Sequence, residues 1–151
     1  MNALTVADLL IIPVQPEYYA AHSLRQVLGL AKRTQEKSNP RMSYRVLVTM
    51  YDRRNKISRV ILEQMQAGLG QALFKTVIEV DARLRESPAF GQPITLYAPR
   101  TRAAQQYRAL AQELMNSTTI LAKVDNLRKG SLDSPQALMN EELTYDERQR
   151  H

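Results

Sequence analysis

The stretch FKTVIEVDARLRESPAFGQPI, Phe74 to Ile94, decides how this chain is read. It begins as a buried strand, runs into a polar loop bearing Arg83 and Arg85, and ends in a turn punctuated by Pro88, Gly91 and Pro93. A loop of that kind at the end of a strand is where an open α/β sheet meets its ligand. No phosphate-binding glycine loop precedes it. The five glycines are Gly29, Gly68, Gly70, Gly91 and Gly130, and none falls in a G-x-x-x-x-G-K-S/T frame. The stretch therefore reads as one half of a site.

Outward from that stretch the pattern alternates strand and helix. Asp8 to Val14 is a continuous apolar run, the signature of a strand buried on both faces. The spacing of Leu24, Val27, Leu28 and Ala31 predicts a helix from Tyr18 to Lys37, with Lys32, Arg33 and Lys37 near its negative end and Ser38-Asn39-Pro40 as its stop. Tyr44 to Met50 is a second buried strand, followed by a polar loop, Tyr51 to Lys56. Ser58 is expected to cap a helix reaching Leu69, with Gly68 and Gly70 ending it. Leu73 to Val80 reads as a third strand and Ile94 to Tyr97 as a short fourth. A long helix is expected from Thr101 to Met115, extending as far as Leu127, and a poorly ordered tail from Lys129. This alternation predicts a parallel sheet with right-handed crossovers. Its strand ends, Pro13 to Tyr19, Tyr51 to Lys56 and Glu79 to Pro88, hold the chemistry.

Composition sets outer bounds. A chain of 151 residues, 44% hydrophobic and 24% charged, is one domain or a large part of one. With no cysteine, it has no disulfide and no thiolate metal site. The start lacks a basic segment and contains Asp8, against a signal peptide, and no apolar run approaches the ~18–20 residues that span a bilayer. The expectation is a soluble, cytoplasmic protein. The net charge of +6 suits a polyanionic partner such as nucleic acid, or simply a basic domain; charge alone leaves both open.

Three segments, ADLLIIPVQPEYYA (Ala7 to Ala20), LVTMYDRRN (Leu47 to Asn55) and the opening stretch, together with LYAPRTRAAQQYRALAQELM (Leu96 to Met115), resemble the C-terminal half of the ParA/Soj partition ATPases, kin of MinD. The resemblance covers residues 1–116 in unbroken order and leaves 117–151 as an extra helix or poorly ordered tail. It implies the C-terminal part of a P-loop NTPase-like parallel sheet flanked by helices, with the central strands and the Walker A and Walker B segments missing. For the intact family it implies a homodimeric ATPase using ATP and Mg, non-specific binding to DNA, a ParB-type partner and association with the nucleoid. It further implies that Met1 corresponds to an internal methionine, as in a truncated frame, and that this chain alone does not hydrolyse ATP. A strand edge left without its neighbours would make the isolated chain marginal, or dependent on another chain. The charged ending QALMNEELTYDERQRH is a poor interfacial helix, against a MinD-like membrane attachment.

Carried onto this sequence, the resemblance places Asp52 where the family reads the adenine base, with Glu79 and Asp81 on the opposite wall. Relatives usually carry proline at the position of Glu79, so the base contact there is altered. On the residues alone, Asp52 reads as an aspartate capping the turn before the next helix. Arg54 and Arg83 match DNA-contacting positions, with Arg53, Lys56 and Arg85 beside them; the alternative is a solvated basic loop. No residue is assigned a catalytic role and no metal-ligand spacing is present. Tyr18, Tyr19, His22, Ser87-Pro88 and the six methionines are read as structural. Three readings follow: a partition ATPase represented by one half, a non-enzymatic DNA- or ParB-binding module using the same surface, and an inactive gene remnant.

Overall fold

The computed structural model describes residues 3–121, with side chains described for 3–116. After a 3₁₀ turn at Ala3–Thr5, the elements run β1 (Leu9–Val14), α1 (Ala20–Lys37), β2 (Ser43–Val48), α2 (Lys56–Leu69), α3 (Ala82–Glu86), α4 (Ile94–Tyr97) and α5 (Arg102–Leu121). Strands β1 and β2 pair in parallel, from Leu9 opposite Ser43 to Val14 opposite Val48. Parallel pairing requires a crossover, and α1 supplies it.

Side-chain alternation along β2 sorts the helices into layers. Val46 and Val48 point to one face, where they meet Ile12, Leu24 of α1 and Met65 of α2. Leu47 points to the other, where it packs with Phe74, Ile78 and, from α5, Leu110 and Leu114. Two consecutive crossovers on one face of a sheet that grows in one direction share one hand, and right-handed crossovers are the rule between parallel strands. The result is a three-layer α/β/α stack.

Residues 73–80 run parallel to β2 but form only isolated bridges, Val46 with Leu73 and Tyr51 with Glu79, instead of the continuous third strand expected. The cause is a bulge. Phe74 N donates to Val46 O and Ile78 N to Val48 O, so four residues advance against two. Within the bulge, the N–H groups of Lys75 and Thr76 leave the sheet and donate to the carboxylate of Glu113 on α5, at 2.9 and 3.0 Å. The same carboxylate accepts from Arg45 Nη2 at 2.7 Å. The Arg45 guanidinium lies 3.8 Å from the centre of the Phe74 ring. A helix side chain thus covers a strand edge that would otherwise stay open.

Three further expectations are corrected. Ile94–Tyr97 is a short helix, not a strand: Pro93 fixes the φ that starts it, and Leu96, Tyr97 and Ala98 close its turns onto Pro93 and Ile94. The cap of α2 is Asn55, whose side-chain oxygen accepts from Ile57 N and Ser58 N. Ser58 sits inside the helix, buried, donating from its hydroxyl to Pro16 O at 3.3 Å. Finally, β1 is covered more fully on one face than on the other. Ile12 is 6% exposed, whereas Ile11 on the opposite face is 37% exposed; among the described residues, α5 packs Leu110 and Leu114 on Leu47, Phe74 and Ile78. The boundary expected after residue 116 falls inside α5, and the tail from Lys129 lies outside the described residues.

Candidate functional site

The carboxyl ends of β2 and of residues 73–80 finish together. Tyr51 N donates to Ile78 O and Val80 N to Tyr51 O, which locks the two chain segments side by side as they leave the sheet. Between them opens a cleft of about 410 Å³, bounded by Tyr51, Asp52, Arg53, Arg54, Glu79, Val80 and Arg102. That is within the size range of small-ligand sites. Met50, just before the cleft, holds a left-handed backbone with φ of 55°. Such a conformation is costly for a side chain with a Cβ and tends to cluster at functional loops.

Each carboxylate in the cleft has guanidinium partners. Asp52 accepts from the backbone N–H of Arg54 and from its Nε and Nη2, at 2.9, 3.1 and 3.2 Å. The hydrogen bonds from Arg54 hold the Asp52 carboxyl below the usual range, and Asp52 in turn raises Arg54. Glu79 is the more heavily engaged. Arg53 grips it with Nε and Nη2 at 3.0 and 3.1 Å, Arg102 Nη1 stands 3.3 Å from Oε2, and Gln106 Nε2 donates to Oε1 at 3.2 Å. Gln106 also accepts from Glu79 N at 3.0 Å, so one amide reads both the backbone and the side chain of that residue. Two-pronged arginine–carboxylate contacts are among the stronger polar contacts in proteins and fix orientation as well as distance.

Asp52, Glu79, Arg53 and Arg54 are therefore brought together, as the sequence suggests. Asp81 is not. It caps α3 by accepting from Arg83 N at 2.9 Å and does not line the cleft. Arg83 and Arg85 are exposed on α3, and no ion pair with an acid is seen for either among the described residues. Arg102 and Gln106 were missed by sequence reasoning. They lie one helical turn apart on α5, and only the docking of that helix against residues 73–80 reveals them.

The cleft is not built to hold a divalent cation. A divalent cation needs free carboxylate oxygens. Both oxygens of Glu79 and both of Asp52 are engaged by guanidinium groups, and an ion there would face Arg53, Arg54 and Arg102. No group of three or more His, Asp or Glu residues able to hold a metal occurs among the described residues. No helix there is long and apolar enough to cross a membrane.

A parallel α/β sheet with its loops gathered at the carboxyl strand ends defines the class, an α/β protein whose layers are consistent with part of a P-loop NTPase-like fold. No protein-family model matches the chain. Comparison with curated proteins is specific. The chain is 35% identical over 117 residues to the chromosome partitioning protein ParA of Caulobacter vibrioides, covering 77% of this chain and 44% of that one. It is 39% identical over 116 residues to the chromosome-partitioning ATPase Soj of Thermus thermophilus, covering 76% and 47%. It is 40% identical over 115 residues to the sporulation initiation inhibitor protein Soj of Bacillus subtilis, covering 76% and 46%. The chain belongs to the ParA/Soj family of chromosome-partitioning proteins, and it spans less than half the length of these relatives.

Proposed function

We propose that these 151 residues serve ParA/Soj-type DNA partitioning by presenting the base-side wall of an adenine-nucleotide site and a DNA-facing arginine surface. The observation that carries this reading is the convergence of two strand-end loops on one cleft lined by Asp52, Arg53, Arg54 and Glu79. Asp52 still offers lone pairs to an exocyclic amine beside Tyr51. Glu79 and Asp81, placed by the resemblance on the base wall, act instead through the arginines and the α3 cap they hold. Arg54, Arg83 and Arg85 project to solvent and meet phosphates, with Arg53 as a reserve held on Glu79. Exposed guanidiniums are well suited to phosphate oxygens.

The finer parts of this reading are a homodimer and a ParB-type partner, with ATP and Mg acting in the intact assembly at a nucleoid. Phosphoryl transfer depends on phosphate positioning and metal binding. None of the five glycines stands in a phosphate-loop frame, so these residues hydrolyse no ATP unaided. A non-enzymatic DNA- or ParB-binding module is the second reading; it is favoured by a basic surface that needs no phosphate loop to exist. A mobility shift of a non-specific duplex, with and without ATP, tests both. ATP-independent retardation that is weakened by Arg54→Ala and by Arg83→Ala supports the DNA-facing surface. No retardation by the wild type at low salt contradicts it.

A further inference from the structure

We infer that Glu79 is an internal competitor for nucleic-acid phosphate: a positioning residue that holds Arg53 and Arg102 off DNA and so sets the polyanion affinity of the strand-end surface. The inference rests on the reading that this surface faces DNA, and it assigns the surface its regulation.

The geometry makes the case. Arg53 and Arg102 reach Glu79 from different elements, the β2–α2 loop and α5, and they close on one carboxylate from two sides. Glu79 itself is only 16% exposed, while its partners are 58% and 47% exposed. Both cations are thus at the surface, but their charge is met from beneath. Glu79 is fixed independently of them, by the two-way contact with Gln106 and by the bridge between Tyr51 and its own backbone. A carboxylate anchored so firmly cannot follow its arginines out towards a ligand. A phosphate must therefore take each guanidinium away from it. Arg54 differs, because it is 84% exposed and its partner Asp52 34%, so solvent screens that two-pronged contact more than it screens the Glu79 pairs. Arg83 and Arg85 differ too, with no side-chain ion pair to an acid among the described residues. The surface thus has cations ready for phosphate and cations held in check.

Glu79→Gln removes the competing charge and keeps the side-chain shape and an acceptor for Gln106. Each phosphate neutralised on B-DNA adds about 0.9 to the slope of log affinity against log salt. Freeing two guanidiniums therefore steepens the slope by about 2, and makes the variant lose about tenfold more affinity than the wild type between 50 and 200 mM salt. Binding of a fluorescent non-specific duplex at several salt concentrations gives this directly. The expected result is tighter binding by Glu79→Gln at low salt with the steeper slope. The gain should disappear in Glu79→Gln/Arg53→Ala/Arg102→Ala, and Glu79→Asp should restore wild-type behaviour. A second measurement compares backgrounds: Arg53→Ala/Arg102→Ala in the wild-type background should weaken DNA binding clearly less than the same pair does in the Glu79→Gln background, since the carboxylate already meets part of their charge.

A Glu79→Gln protein that binds no more tightly than wild type, or whose gain survives loss of both arginines, overturns the inference. So does a loss of affinity in Arg53→Ala/Arg102→Ala as large as the same pair causes in the Glu79→Gln background. The proposed function fails separately. Wild type that does not bind while Glu79→Gln does would contradict the DNA-facing reading of the native chain and support the latch. Wild-type binding that depends on Arg83, with Glu79→Gln inert, would do the reverse.

Discussion

Replacing Glu113 should be among the most damaging single changes on the surface of α5. Its carboxylate accepts from two backbone N–H groups of the bulge and from Arg45, and both side chains of the ion pair are largely buried, at 18% and 16% exposure. In Glu113→Ala, the exposed Lys75 N–H can recruit water, but Thr76 N–H and the Arg45 guanidinium lose a partner in a half-buried setting. Arg45 keeps Leu73 O as an acceptor, and losing the Glu113 contacts in this setting should cost about 2–5 kcal/mol. Alanine is the better helix former, so any loss must be tertiary. Glu113→Gln keeps one acceptor oxygen but turns an amide towards the donors, for about 1–3 kcal/mol. Urea unfolding followed by circular dichroism, with the slope unchanged, measures both.

Acid adds a sign test. Burial raises the Glu113 carboxyl, but the hydrogen bonds from Lys75, Thr76 and Arg45 outweigh it and hold it below the ordinary glutamate range. A depressed folded value means stability that is fully present above the unfolded value of about 4.3 and is lost as the pH falls through the folded one. The gap between wild type and Glu113→Gln should therefore narrow in acid. Stability of Glu113→Ala within about 0.5 kcal/mol of wild type, or a gap that ignores pH, would refute the role given to this carboxylate.

Two further outcomes follow from the fold. Asn55→Ala should cost about 1 kcal/mol by uncapping α2, with the loss reading out as a lower urea midpoint; an unchanged midpoint would return the cap to another residue. Ile12→Ala should cost about 2–5 kcal/mol and Ile11→Ala clearly less, since only the first is fully enclosed; equal costs in the same urea experiment would show that the two faces of β1 are covered alike.

The parallel grammar of β1, α1, β2 and α2 was legible because periodicity reports burial directly. Where burial was not the deciding factor, the sequence misled. The apolar run of β1 promised two covered faces, yet run length cannot say which helix reaches which strand. Ile94–Tyr97 has strand-like residues but follows Pro93, and a single local turn outweighed β-propensity. The third strand was read in the right place, but its bulge depends on Glu113, thirty-odd positions away on another element. The site shows the same division. Asp52 and the paired arginines of its loop are local, and a turn-capping aspartate was among the readings open for it. That Glu79 holds Arg53 and Arg102 depends on the docking of α5, which no spacing in the chain encodes.

The account turns on whether the strand-end surface meets DNA. The most direct test is the affinity of wild type, Arg54→Ala and Arg83→Ala for a non-specific duplex as salt is varied. The account predicts salt-sensitive binding by the wild type, weaker binding by each variant, and a slope lower by about 1 for each arginine removed. Wild type that leaves the duplex free at low salt, or variants that bind it with wild-type affinity and slope, would contradict it.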